Sequence, residues 1–294
     1  MTGKAECVRG YLLVLGAGVL WGTLGLFGRA LFAYGLDPLT VVAIRASVAF
    51  LALLVLLLVL DRSLLVVASR DYLFFGLYGL IAIGIFYGLY FHTIALTSVA
   101  VAAVLLYTAP VFVTTMAWAL YREPLGGLKI TALALAFLGC LLVVKAYDLG
   151  SLRLNHLSIL TGLGSGFTYA LYSIFGKKAL KTYSPWTILV YTLGIGATSL
   201  LLVRWQAVLG LGAYPREAWL LLVALALGPT LLAFALYTNG LKLLPAGKAA
   251  IAATIEPVTA ATLGAIVLGE HLAFPQFLGM ASVIAAIALL QTGE

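Results

Sequence analysis

Long apolar runs separated by short clusters of Gly, Pro and charge set the pattern of this chain. The spacing predicts ten helices, over 11–34, 38–60, 72–96, 99–121, 125–144, 157–177, 185–203, 218–241, 246–268 and 275–290. Each is close to the ~20 apolar residues that a helix needs to cross a bilayer. The joins fall at 35–38, 61–71, 122–127, 145–156 and 211–217, where turn residues and charges collect. A transmembrane β-barrel would instead show short alternating strands.

The pattern repeats. Residues 101–123 read VAAVLLYTAPVFVTTMAWALYRE, and residues 248–270 read KAAIAATIEPVTAATLGAIVLGE. Pro110 answers Pro257 and Glu123 answers Glu270, both at an offset of 147 (257 − 110 and 270 − 123). Leu89-Tyr90 answers Leu236-Tyr237 at the same offset, and Phe27-Gly28-Arg29 answers Phe175-Gly176-Lys177 at 148. Such periodicity decides the fold class. The expected organisation is an all-α polytopic membrane protein of two five-helix repeats, 1–147 and 148–294. Five crossings are odd, so the second copy enters the membrane inverted. In that arrangement the substrate site lies between the copies near the midplane, and one copy rocks against the other.

Composition agrees. The 294 residues are 64% hydrophobic and 9% charged, with mean hydropathy +1.14. Soluble domains carry roughly 25% charged residues. The net charge of +7 would hint at nucleic acid in a soluble protein. Here it follows from Lys and Arg gathered in loops on one side of the membrane, and no nucleic-acid partner is expected. With the N-terminus inside, Lys4, Arg9, Arg62, Arg70, Arg122, Lys129, Lys177, Lys178, Lys181, Lys242 and Lys248 face the cytoplasm. Lys145, Arg153, Arg204 and Arg216 face outward. This bias places both termini in the cytoplasm. The first apolar run has no clear cleavage site and reads as a retained helix. Cys7 and Cys140 form no disulfide framework, and His92, His156 and His271 are too scattered for a metal. No cofactor motif is present.

Candidate chemistry centres on Glu256, which precedes Pro257 in the middle of an apolar stretch. An intramembrane carboxylate is costly and marks a site by default. It can hold substrate or a proton, or it can be a packing acid hydrogen-bonded to a neighbour. Its mate in the first copy is Ala109. Pro110 and Pro257 should break or kink their helices. Trp21 and Tyr169 are mates at offset 148, each near a Gly-x-x-x-Gly pair (Gly18/Gly22 and Gly162/Gly166) that lets backbones approach. With Tyr172, they could floor a pocket between the copies or serve as packing aromatics. Tyr78, Tyr107 and Thr108 are further cavity candidates, and Gly84/Gly88 marks a close-packed face. Arg29, Arg45 and Lys177 read as side chains snorkelling to the membrane surface. Glu123 and Glu270 read as helix caps or as gate residues on opposite faces.

Metalloprotease and serine-hydrolase motifs are missing, which argues against an enzyme. No ring of charges or carbonyl filter suggests a channel. Trp21-Gly22, Arg29, Pro38 and Arg45, then Ala109-Pro110-Val111 with Glu123, resemble the first copy of an EamA-type repeat. Glu256-Pro257-Val258 with Leu268-Gly269-Glu270 resembles the second. The chain as a whole is similar to the drug/metabolite transporter superfamily, and its size and aromatic middle to the aromatic amino-acid exporters within it. The resemblance implies export of small metabolites from a bacterial cytoplasm across the inner membrane, with neutral or aromatic amino acids as substrates. A multidrug exporter of lipophilic cations is the alternative. Ten crossings suffice for a pathway in a monomer.

Overall fold

The computed structural model describes residues 2–147, 155–210, 212 and 214–292. Arg153, one of the basic residues expected on the outer side, and the 148–154 join between the copies lie outside the described residues. Every regular element among the described residues is helical. The first copy contains α1 (Thr2–Gly22), α2 (Leu24–Phe32), α3 (Pro38–Leu60), α4 (Tyr72–Gly79), α5 (Phe86–Leu96), α6 (Val99–Leu106), α7 (Ala109–Tyr121) and α8 (Gly127–Val143). The second contains α9 (His156–Ala179), α10 (Pro185–Leu209), α11 (Arg216–Leu225), α12 (Ala233–Leu243), α13 (Ala246–Ala252), α14 (Ile255–Leu268) and α15 (Phe274–Thr292).

Several short helices continue one another into longer rods. Among the described residues, eight rods are long and apolar enough to cross a membrane: Gly3–Phe32, Pro38–Leu60, Ser69–Leu96, Val99–Tyr121, Pro185–Ala207, Arg216–Leu243, Ala246–Leu268 and Phe274–Thr292. Two of the ten expected helices fall outside this set. The apolar α8 has only 17 residues. The 24-residue α9 is more polar, with Ser158, Thr161, Ser165, Thr168 and Ser173 buried along it. It packs against α5, α6 and α7, so protein rather than lipid surrounds much of it. Most of its hydroxyls bond their own preceding turn, as in Thr168 Oγ1 to Gly164 O at 2.8 Å and Ser165 Oγ to Gly162 O at 2.7 Å, while Ser173 Oγ pairs with the Tyr237 hydroxyl at 2.7 Å. Those bonds remove most of the cost of burying them.

The two copies pack reciprocally. Helix α1 lies along α12 and against α14, while its counterpart α9 lies along α5 and against α7. Like packs on like in α3 with α10 and in α8 with α15, while α7 packs on α13. Matching irregularities mark both copies. A π-helical segment separates α4 from α5 at Leu80–Ile85, and another separates α11 from α12 at Ala226–Leu232. The rods holding the two prolines break just before them, at Tyr107–Thr108 and at Ala253–Thr254. Each proline then sits in the first turn of the following helix, where its missing N–H costs nothing.

The glycines fix these breaks in place. A Cβ on Gly18 of α1 would come within 2.4 Å of Ile255 Cγ2 and 3.1 Å of Ala253 O. One on Gly22 would lie 2.5 Å from Thr259 Cβ and 2.9 Å from Glu256 O. In the other copy, Gly166 meets Leu105 O at 2.9 Å and Thr108 Oγ1 at 2.7 Å. A glycine of each copy's first helix therefore clasps the break in the opposite copy. Gly84 is equally tight, against Ser199, but Gly88 faces open space, so only half of that expected close-packed pair is used.

Candidate functional site

A cavity of about 520 Å³ lies between the copies. It is within the ~300–1,000 Å³ typical of small-molecule sites. Helix α1 and its opposite number supply its aromatic wall. Trp21 packs on Phe234 and Tyr237 with ring centroids 5.4 and 5.3 Å apart. Its mate Tyr169 packs on Phe86 at 5.2 Å. Tyr87, Tyr90 and Phe91 continue the lining. The mouth is rimmed by Arg29, Phe32 and Val99, all exposed at the same end of the molecule.

Besides Arg29 at the mouth, two charged side chains reach this apolar space. Glu256 is half-buried in the first turn of α14 and lines the cavity. Its carboxylate accepts no hydrogen bond and forms no ion pair among the described residues. Across from it stands Arg45 of α3, only 4% exposed. The Arg45 guanidinium donates to Thr230 Oγ1 at 3.1 Å and to the Tyr87 hydroxyl, and it lies 5.0 Å over the Tyr87 ring. Thr230 belongs to the π-helical segment, and its hydroxyl in turn donates to Leu225 O at 2.9 Å. A guanidinium has five N–H donors. Donors not used by Thr230 and Tyr87 remain for a ligand.

The sequence candidates divide by depth. Trp21, Tyr169 and Glu256 line the cavity together. Tyr172 lies beneath it, its ring 5.0 Å from Phe234 and its hydroxyl 3.0 Å from Thr238 Oγ1. Tyr78 lies deeper still, fully buried, donating to Tyr172 O at 2.8 Å. Tyr107 faces the cluster of Cys140, Val258, Val283 and Ile287 instead. Thr108 turns its hydroxyl to Leu105 O at 2.6 Å. Pro110 and Pro257 are buried at the two breaks, and Pro257 follows directly on the cavity acid. Arg45 departs from expectation: it does not snorkel but is held inside the protein. Its position only seven residues after Pro38 gives it the look of a helix-end residue. The one signal in the sequence is that nothing else in that stretch is charged.

Below the floor the molecule is closed. Phe74, Tyr78, Tyr172 and Phe175 form a continuous aromatic plug. The Tyr121 hydroxyl donates to Ile174 O at 2.6 Å, tying the copies together. A larger space of about 720 Å³ lies between α3, α4 and α10, but it is apolar. Its hydroxyls, Tyr191, Thr198 and Ser199, are committed to the carbonyls of Leu65, Gly194 and Gly196. Nothing there can orient a polar metabolite. No cluster of three metal-ligating side chains exists among the described residues.

Comparison with known proteins adds to this geometry. The EamA-like transporter family matches the chain twice, over residues 8–145 and 156–292. An uncharacterized transporter from Archaeoglobus fulgidus is 32% identical over 97% of both chains. The uncharacterized transporter YwfM of Bacillus subtilis is 29% identical over 95% of this chain and 92% of its own. The uncharacterized inner membrane transporter YicL of Salmonella typhimurium is 26% identical over 96% and 95%. A solved crystal structure at 18% identity superposes with a TM-score of 0.79 over 96% of both chains, a likeness of fold alone.

Proposed function

The chain belongs to the EamA-like transporter family, and from that premise we propose that it exports neutral amino acids, aromatic ones foremost, by alternating access. The observation that carries this reading is the presence of one acid, Glu256, and one buried base, Arg45, on the walls of an apolar, aromatic-rich cavity. A zwitterion presents one ammonium and one carboxylate. The carboxylate suits the planar fork of Arg45, the ammonium suits the unpaired Glu256, and an apolar side chain suits Trp21, Phe234 and Tyr169. A sugar phosphate would call for several cations, and only Arg45 is buried there.

In this reading α8 and α9 also cross the membrane, giving ten crossings in two inverted copies, with both termini in the cytoplasm of a bacterial cell. The cavity mouth then faces outward, and the conformation is outward-open. A single chain contains the complete pathway.

Binding tests the substrate class. Purified protein is titrated with labelled tryptophan, which is then displaced by tryptamine, lacking the carboxylate, or indole-3-propionate, lacking the ammonium. A site built to bond both groups rejects each analogue by tenfold or more, because its own charge is left unpaired. Glu256 alone in an aromatic cavity would also attract a lipophilic cation. If tryptamine or such a cation displaces the label better than tryptophan itself, the protein is a multidrug exporter.

A further inference from the structure

The two copies use equivalent charged residues differently. Helices α7 and α14 both end on a left-handed residue, Arg122 (φ 55°) and Gly269 (φ 69°). Glu123 and Glu270 follow, and their backbone N–H groups close the same turn, onto Ala117 O and Gly264 O, each at 3.2 Å. From this shared backbone the side chains diverge. Glu123 is buried and reaches across to the other copy, where Oε1 accepts from Ala246 N at 2.7 Å and Oε2 from Gly247 N at 3.3 Å. It thereby caps α13, and Lys129 Nζ supports it at 3.0 Å. Glu270 is exposed and instead faces Arg29 at 3.5 Å.

Arg29 repeats the asymmetry. Its mate Lys177 donates to Leu241 O at 2.8 Å and Leu244 O at 2.6 Å, capping the C-terminus of α12 at the closed end. The equivalent acceptors for Arg29 are Ile94 and Thr97 at the end of α5, offset by 147. Ile94 lies at the open mouth, and Arg29 is directed to Glu270 instead. The equivalents of Ala246 and Gly247 are Val99 and Ala100, and Val99 too rims the mouth. At the closed end, then, acid and base each hold a helix terminus. At the open end their counterparts hold only each other.

We propose that Glu270 and Arg29 are the positioning residues of the second gate. When the open end closes, their ion pair separates. Glu270 then caps α6 at the backbone N–H groups of Val99 and Ala100, and Arg29 caps the carbonyls ending α5. Glu123 and Lys177 release their helices in the same transition. This rests on the alternating-access reading, and the labelling test below does not depend on the identity of the substrate.

Thiol accessibility tests it in proteoliposomes. Cys7→Ser and Cys140→Ala provide the background, and Ala260→Cys, on the cavity wall, reports the open end to a membrane-impermeant maleimide. Glu123→Leu with Lys129→Met removes the closed-end cap of α13 without stranding a buried charge. Labelling should fall about tenfold as the population shifts to the other state. Adding Glu270→Ala should restore labelling towards the parent rate, because the second gate can no longer hold. Labelling that stays low in the combined variant would overturn the proposal. Glu270→Ala alone is a second readout that does not burden folding, since Glu270 is exposed: amino-acid exchange should slow about tenfold, and unchanged exchange would overturn the proposal. If the closed-end variant leaves labelling unaltered while its protein remains folded, Glu123 does not hold the closed end and the proposal is overturned.

Discussion

A guanidinium near the centre of a membrane costs about 3 kcal/mol on insertion scales. Arg45 meets that cost with Thr230, the Tyr87 hydroxyl and the Tyr87 ring. If its remaining donors serve substrate, Arg45→Lys keeps the charge but loses the fork, and tryptophan affinity should drop at least tenfold. Arg45→Met should abolish measurable binding while leaving thermal stability equal or higher, since replacing a buried charge with an apolar chain is often stabilising. Loss of folding in both variants would make Arg45 structural. Thr114 offers the opposite case. Among the described residues, its Oγ1 is buried without a hydrogen-bond partner. Thr114→Val should raise stability by about 1 kcal/mol, read as a melting temperature higher by a few degrees, with exchange unaltered. At the surface, burial works to raise the pKa of Asp37, yet the hydrogen bonds from Thr40 and Arg204 outweigh it and hold the carboxyl below its usual value. A depressed folded pKa contributes stability above the unfolded value of ~3.9 that is lost as pH falls through it. Asp37→Asn should therefore flatten the decline of melting temperature between about pH 5 and pH 3.

At the scale of elements, the sequence makes some features plain and hides others. The prolines and the Gly18/Gly22 spacing point to where α1 meets the broken rod of α13 and α14, because close approach and a missing donor are local chemistry. Of the two π-helical segments, Ala226–Leu232 carries such a mark in Pro229, but the other leaves none. Leu80–Ile85 is an ordinary apolar run, and its wide turn is set by packing against α10. The polarity of α9 is likewise legible only as a weak span; its cause is its position among other helices. Gly22→Val tests the clasp. Its Cβ branch must displace Thr259 or the Glu256 carbonyl, costing ~1–3 kcal/mol for overpacking. Because the strain falls on the turn that aims Glu256, tryptophan affinity should weaken as well. An unchanged affinity would show that the clasp does not position the acid.

For the whole molecule, the offset of 147 to 148 is enough to divide the chain into two copies, and reciprocal helix packing follows from it. Which end is open is not legible in the residues, because symmetric positions carry no sign of which member of a pair is engaged. The cavity aromatics are partly legible for the same reason: Trp21 and Tyr169 are mates lining one space, whereas Tyr78 and Tyr172 differ from them only in depth. The central claim is that one cavity carries amino acids from side to side, and counterflow tests it most directly. Proteoliposomes are preloaded with unlabelled tryptophan, phenylalanine, methionine or threonine and offered the same compound as trace label outside; a lipophilic cation and a sugar phosphate are run in parallel. The account predicts transient accumulation of label above equilibrium for the amino acids, tryptophan and phenylalanine strongest, and none for the sugar phosphate. Accumulation with the cation alone, or equilibration of label without any overshoot, would contradict it.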